Sequence, residues 1–217
     1  ATIDRALCFT DCVFEDVFKV ESARISNISL RRCLVPGLTA NGLRTTGDLD
    51  LSGSTFNGHH ASLASTTKQA AIWLSNAQIG GKLLCVGTKI YAAGHRAIHA
   101  DGIRVAGTVR LIEGFAASGQ VRLLGAEFSG SLDLTGIHLD EPIDGLALDL
   151  GDARIAGGLF VVPAPDGSTP RIQGQLDMGG ARIGGQCLFR AVRVHANPVS
   201  PPRPGFPSRR VYGSAIS

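Results

Sequence analysis

The sequence predicts an all-β fold, a right-handed parallel β-helix of four-sided coils (a quadrilateral β-solenoid). Three observations predict it: apolar residues two apart in short pairs, a constant step from one pair to the next, and a glycine that recurs at one place in every repeat. The repeating pattern is apolar-x-apolar, two spacers, then small-x-apolar-x-Gly-x-apolar-x-apolar. It occupies Leu38 to Leu51, Ile72 to Cys85, Ile98 to Leu111, Val121 to Leu134, Leu148 to Val161 and Leu176 to Phe189, with Gly47, Gly81, Gly107, Gly130, Gly157 and Gly185 in register.

Two apolar side chains separated by one polar residue lie on the same side of an extended chain, so each pair marks a short strand with one buried face. The same spacing in a helix would scatter them around the axis. Moving on by three residues and then four presents the same face inward after each corner, and a chain that always turns the same way closes roughly every 20 residues. Upstream, Leu7/Phe9, Cys12/Phe14, Phe18/Val20, Ala23/Ile25, Ile28/Leu30 and Cys33/Val35 extend the pattern towards the start. First-face strands at Phe18, Leu38, Ile72, Ile98, Val121, Leu148 and Leu176 give about seven coils. At ~4.8 Å per coil they form a tower roughly 30–35 Å tall. Parallel strands joined by same-sense crossovers are right-handed because strand twist packs only that way. The recurring glycine is expected where the corner is left-handed or too crowded for a Cβ.

The chain divides into a solenoid over residues 1–195, with loop insertions at one corner, and a Pro-rich extended tail over 196–217 that contains Pro198, Pro201, Pro202, Pro204 and Pro207. Composition agrees with a folded chain: 44% hydrophobic and 18% charged is too apolar for disorder. The 28 glycines without a three-residue period exclude collagen. A formal charge of +3 without concentrated Lys/Arg makes nucleic acid an improbable partner. Five cysteines, an odd number without C-x-x-C spacing, suggest neither a disulfide framework nor a zinc site. Cys33, Cys85 and Cys187 fall on inward positions, where they fill core, whereas Cys8 faces out. With no membrane span and no signal sequence, a cytoplasmic protein is expected.

The repeat resembles the pentapeptide-repeat superfamily, whose consensus is a small residue, a polar one, a central Leu or Phe and two variable positions. The resemblance covers about residues 7 to 194. The segment Ala181 to Gly185, with its relatives at Ala77 and Ala153, is similar to a glycine-rich branch of bacterial proteins labelled membrane-associated oxidoreductases. It implies a solenoid; extra residues at one corner depart from the regular members.

Outward positions align as well as inward ones. The first face reads Thr39, Trp73, His99, Arg122, Asp149, Asp177; the second Arg44, Gln78, Arg104, Glu127, Arg154, Arg182; the third Asp50, Leu84, Arg110, Asp133, Phe160, Leu188. Neighbours in a column are ~4.8 Å apart, so Arg122 should meet Asp149 and Glu127 should bridge Arg104 and Arg154. The segments Ser52 to Ala71, Val86 to Ala97, Thr135 to Ala147 and Val162 to Gln175 read as insertions on one edge, a place where sites are often built.

That edge carries His59, His60, His95 and His138, which are either ligand-binding residues or scattered surface histidines; their spacing matches no metal motif and no metal is assigned. His95, His99, Asp101 and Glu113 form a second group, in which His99 and Asp101 point the same way and either transfer a proton or form a polar corner. Leu84, Phe160 and Leu188 are expected as an apolar strip, the floor of a ligand pocket or a dimer contact. No nucleotide-binding, zinc-protease or nucleophile-elbow motif occurs, and no cofactor is expected. The sequence reading is therefore an interaction scaffold for another protein or a second copy of itself, with an enzyme or small-ligand binder, pocketed between the one-sided loops and the third or fourth face, as the alternative. Mimicry of duplex DNA, which needs an acidic surface, does not suit a +3 chain.

Overall fold

In the computed structural model, which describes residues 1–58 and 70–195, every named strand pair is parallel and no residue is helical. The strands form three sheets, two of eight strands and a wider third that covers two sides of the coil. The expected first face is present in full, with Phe18, Leu38, Ile72, Ile98, Val121, Leu148 and Leu176 as successive register partners. The second and third faces hold eight strands each, one more than the seven coils expected. The chain enters on the second face at Thr2–Ile3, a pair too short to show periodicity, and Ile3 stacks on Ile25.

The fourth face corrects the reading of the insertions. Thr55–Phe56, the start of Lys89–His99, His138–Asp140 and Arg171–Gln173 all lie within segments expected to be loops. They are rungs of one ladder, in which Val35, Phe56, Ile90, Ala117, Leu139, Ile172 and Val194 are successive partners. Only the residues around these strands are additional. Strands Lys89–His99 and Ala116–Arg122 run through the corner from the fourth face to the first, joining both into one sheet.

The inward side chains stack into a single core; Leu30, Leu49, Ile72, Val109, Leu132 and Leu148 are fully buried. The glycine column has a definite cause. A Cβ on Gly130 would lie 2.7 Å from the carbonyl carbon of Gly107, and one on Gly157 would lie 2.8 Å from that of Gly130. Neither glycine has a positive φ, so crowding between coils, not left-handed backbone, is the reason. The same approach lets Gly107, Gly130 and Gly157 donate in turn to the carbonyls of Gly81, Gly107 and Gly130 at 2.8, 3.1 and 3.1 Å. Left-handed residues occupy the corner between the first and second faces, where Asn76 (φ 55°) and Asp152 (φ 55°) stand in for glycine. Asn and Asp tolerate this conformation better than other residues.

Buried polar groups at the other corners bind across coils. Ser54 donates to the Leu30 carbonyl at 2.8 Å and accepts from the Cys33 amide at 2.9 Å, and Thr88 donates to the Leu51 carbonyl at 2.9 Å. At the first coils, Phe9, Phe14 and Phe18 pack with ring centroids 5.3–5.6 Å apart. At the other end Cys187 keeps its inward register against Leu159 but is exposed, because no described coil stacks beyond it; this corrects its reading as core filler. The tail assigned to 196–217 lies outside the described residues. No helix among the described residues is long and apolar enough to cross a membrane.

Gly130→Ala pushes a methyl group against backbone that cannot swing aside, and should destabilise the protein by about 1–3 kcal/mol in urea unfolding; an unchanged midpoint would contradict the crowding. A thiol reagent should modify Cys8 and Cys187 in the folded protein but Cys33 and Cys85 only after denaturation, since the last two are buried and burial pushes the Cys85 thiol pKa far up. Prompt labelling of Cys85 without unfolding would refute the stack.

Candidate functional site

On the first face the outward side chains do not stand apart but form a half-buried polar cluster. His99 sits between Trp73 on one neighbouring coil, with ring centroids 4.7 Å apart, and Arg122 on the other. Asp101, in the turn just after the strand, approaches His99 Nε2 at 3.2 Å and accepts from Arg122 Nε at 2.9 Å. Arg122 also donates to Asp149 at 2.9 Å, as the column spacing predicted. Asp149 is only 3% exposed, and its second oxygen accepts from the Gly151 amide at 3.0 Å. Arg96 closes the other side, 3.3 Å from both His99 Nδ1 and Gln120 Oε1.

These contacts fix the state of His99. A guanidinium can only donate, so Nδ1 must accept from Arg96, and the proton on Nε2 is donated to Asp101. The imidazole is therefore neutral. Burial is the main influence lowering its pKa below the ordinary 6.5, with Arg96 and Arg122 acting in the same sense and Asp101 opposing. Arg96 is likewise lowered, chiefly by burial and then by Arg122. Chemically, both ring nitrogens of His99 already serve protein partners, and the cluster is a clamp across three coils.

The remaining sequence candidates are dispersed. His95 lies on the same strand as His99, but its side chain has no hydrogen bond or ion pair to a described residue. Glu113 is exposed in a left-handed turn (φ 48°) at the corner entering the fourth face, and the length of Ala116–Arg122 separates it from the His99 cluster. The expected foursome of His95, His99, Asp101 and Glu113 is thus not assembled; only the central pair meets. His138 is on a fourth-face strand, not a loop, and its Nε2 lies 3.2 Å from Asp140, both partly exposed. His59 and His60 lie outside the described residues. Among the described residues no group of three or more His, Cys, Asp or Glu is placed to hold a metal.

The apolar strip is broken. Arg110 and Asp133, 3.9 Å apart, stand between Leu84 and Phe160 on the third face, so only Phe160 and Leu188 are neighbours. Phe160 also lies back over Gly158, where a Cβ would meet its ring at 2.6 Å, which accounts for its half-burial. Sequence reasoning missed Arg96 and Gln120, because both fall in stretches whose strand character the alternation did not show.

The second face is the other organised surface. Its outward column runs Thr2, Arg24, Arg44, Gln78, Arg104, Glu127, Arg154, Arg182 in unbroken register. Glu127 bridges Arg104 and Arg154 at 3.0 Å each, as expected, and the hydrogen bond from Arg104 leads the effects that hold its carboxyl below the usual range. Beside the arginines runs a line of small residues, Thr46, Gly80, Ala106, Ser129, Ala156 and Gly184, leaving a shallow depression. Three such depressions share Arg44 and Thr45 at one junction and Glu127 and Ser129 at the next, and so merge into one trough along the tower.

No family model matches the chain, and no curated protein and no solved structure matches it either.

The proton balance of His99 gives a prediction. Its folded pKa lies below 6.5, so the unfolded chain takes up the proton first as the pH falls. Its contribution to stability is complete above about pH 6.5 and declines as the pH drops towards the folded value. The groups facing it are Arg96, Asp101, Arg122, Asp149 and the Trp73 ring. His99→Gln keeps a donor and an acceptor but cannot titrate. The melting temperature should fall less between about pH 7.5 and about pH 5 in the variant than in the wild type, and equal falls would refute the neutral clamp.

Proposed function

We propose that the protein is a rigid, non-catalytic interaction scaffold of the pentapeptide-repeat kind, which presents fixed columns of side chains to a macromolecular partner. The observation that carries this reading is the second-face trough, in which eight strands hold outward side chains in unbroken register along the tower. Each coil is fixed by hydrogen bonds to the coils beside it, so a partner meets a surface that is already ordered and loses little to rearrangement. The His99 cluster supports the same reading, since its hydrogen-bonding capacity is spent on holding coils together. The sign of the trough opposes mimicry of duplex DNA, which calls for a negative column.

The test is site-specific photo-crosslinking in an extract of the source cells, with the crosslinker replacing Gln78 on the second face or Leu84 on the third. A discrete macromolecular adduct, rebuilt from purified components at defined stoichiometry, is expected. No adduct at either position, together with a small molecule retained by the purified protein in native mass spectrometry, would overturn the proposal in favour of a ligand-binding or catalytic protein.

A further inference from the structure

We infer that the second-face trough receives an extended acidic segment of a partner protein, with its negative charges gathered towards the two ends of the segment. The inference rests on the scaffold reading and names the partner's chemistry. Eight strands at ~4.8 Å spacing give the trough a length of ~34 Å, which matches about ten residues of extended chain. The small residues along its floor leave room for one such chain lying parallel to the tower axis.

The charges are unevenly placed. Arg24 and Arg44 occupy consecutive coils near one end, and Arg182 lies at the other. None of these three has a side-chain hydrogen bond or ion pair to a described residue. In between, Gln78 is neutral, and Arg104 and Arg154 are both committed to Glu127. Asp4 also lines the trough beside Arg24, leaving two guanidinium groups against one carboxylate at that end. The trough therefore offers guanidinium groups without a carboxylate partner at both ends, whereas the two at its centre share Glu127, which leaves that stretch one net positive charge and an anion at its middle.

That pattern selects among anionic partners. A nucleic-acid strand carries a charge at every step and would place phosphates against Glu127. Single-strand binding surfaces also supply aromatic platforms for the bases, whereas the one aromatic lining this trough, Phe128, is 2% exposed and directed into the core. A peptide can leave its middle uncharged and place Asp or Glu opposite Arg44 and Arg182, where each carboxylate accepts from a guanidinium with no competing partner.

Fluorescence anisotropy tests the assignment with three labelled probes: a peptide of about ten residues with acidic pairs at both ends, a peptide of the same composition with its acids in the centre, and a thymidine strand of matching length. The end-charged peptide should bind saturably at low salt and more tightly than the other two. Arg44→Glu and Arg182→Glu should each weaken it about tenfold or more. Arg193→Glu, the same charge change on the fourth face, should leave it unaltered. Glu127→Gln should bring the centre-charged peptide closer to the end-charged one. Circular dichroism of each variant confirms that the sheets remain.

Equal binding of the two peptides, an equal effect of Arg193→Glu, tighter binding of the thymidine strand, or no saturable binding would each overturn the inference. Any of these results with a discrete adduct still formed at Leu84 refutes the acidic-segment assignment alone. Absence of adducts at both Gln78 and Leu84, together with a small molecule retained by the purified protein, refutes the broader scaffold reading.

Discussion

The constraint on which the stack depends is backbone against backbone at the corner between the second and third faces. There Gly81, Gly107, Gly130, Gly157 and Gly185 each donate through the amide to the glycine of the preceding coil, and the gap is too small for a single added carbon. Because the contact repeats at one position from the coil of Gly47 to that of Gly185, it holds both the pitch and the rotational register of those coils. A side chain within this glycine column would tilt one coil against the next, and the tilt would propagate, since every coil touches only its neighbours. The apolar core supplies the driving force, but apolar side chains of similar size tolerate some sliding. The glycine column does not.

Fixed register turns the outside of the tower into ruled lines. On the first face it places Trp73, His99, Arg122 and Asp149 on successive coils, where Arg122 ties two coils together through Asp101 and Asp149. Burial of Asp149 makes that tie matter: a carboxylate out of water without its guanidinium would carry a large desolvation cost. On the second face the same spacing stacks like charges, Arg24 on Arg44 and Arg154 on Arg182. Only Glu127 relieves this, by joining Arg104 to Arg154. The two faces thus use one geometry for opposite ends, charge neutralised within the stack on the first and charge left unsatisfied on the second.

Much of this was legible in the sequence, for a physical reason. Inward pairs two apart and a glycine at constant offset are consequences of stacking that leave marks at fixed positions, so the first-face register and the salt bridges of Arg122 and Glu127 could be read by aligning repeats. Beyond its first rungs, read from the pairs Cys12/Phe14 and Cys33/Val35, the fourth face was not legible. Thr55–Phe56 offers one inward apolar residue, and Arg171–Gln173 follows the Pro-containing stretch 162–170, so neither shows the alternation that identifies a strand. The long strand Lys89–His99 crosses a corner with register shifts, which hid Arg96 from any column count. Column reading also overstated the Leu84, Phe160 and Leu188 strip, because membership of one column does not make residues neighbours when Arg110 and Asp133 intervene. The tautomer of His99 depends on a partner three residues back along that irregular strand, information that periodicity cannot carry.

The ends of the stack show what a coil loses without a neighbour. At the first coils the inward rings of Phe9, Phe14 and Phe18 pack against one another, two pairs edge to face and one tilted, and remain only half-buried. At the last described coil the inward residues keep the register of the coils before them, yet Phe189 is 41% and Val194 51% exposed. Identical inward positions are thus buried or exposed according to whether another coil follows, which places the core stabilisation in the contacts between coils and not within any one of them. A surface built on such a stack inherits its stiffness from the middle. The trough's central coils, each gripped from both sides, hold Arg104, Glu127 and Arg154 at a spacing that no local rearrangement can alter without breaking the glycine ladder beside them.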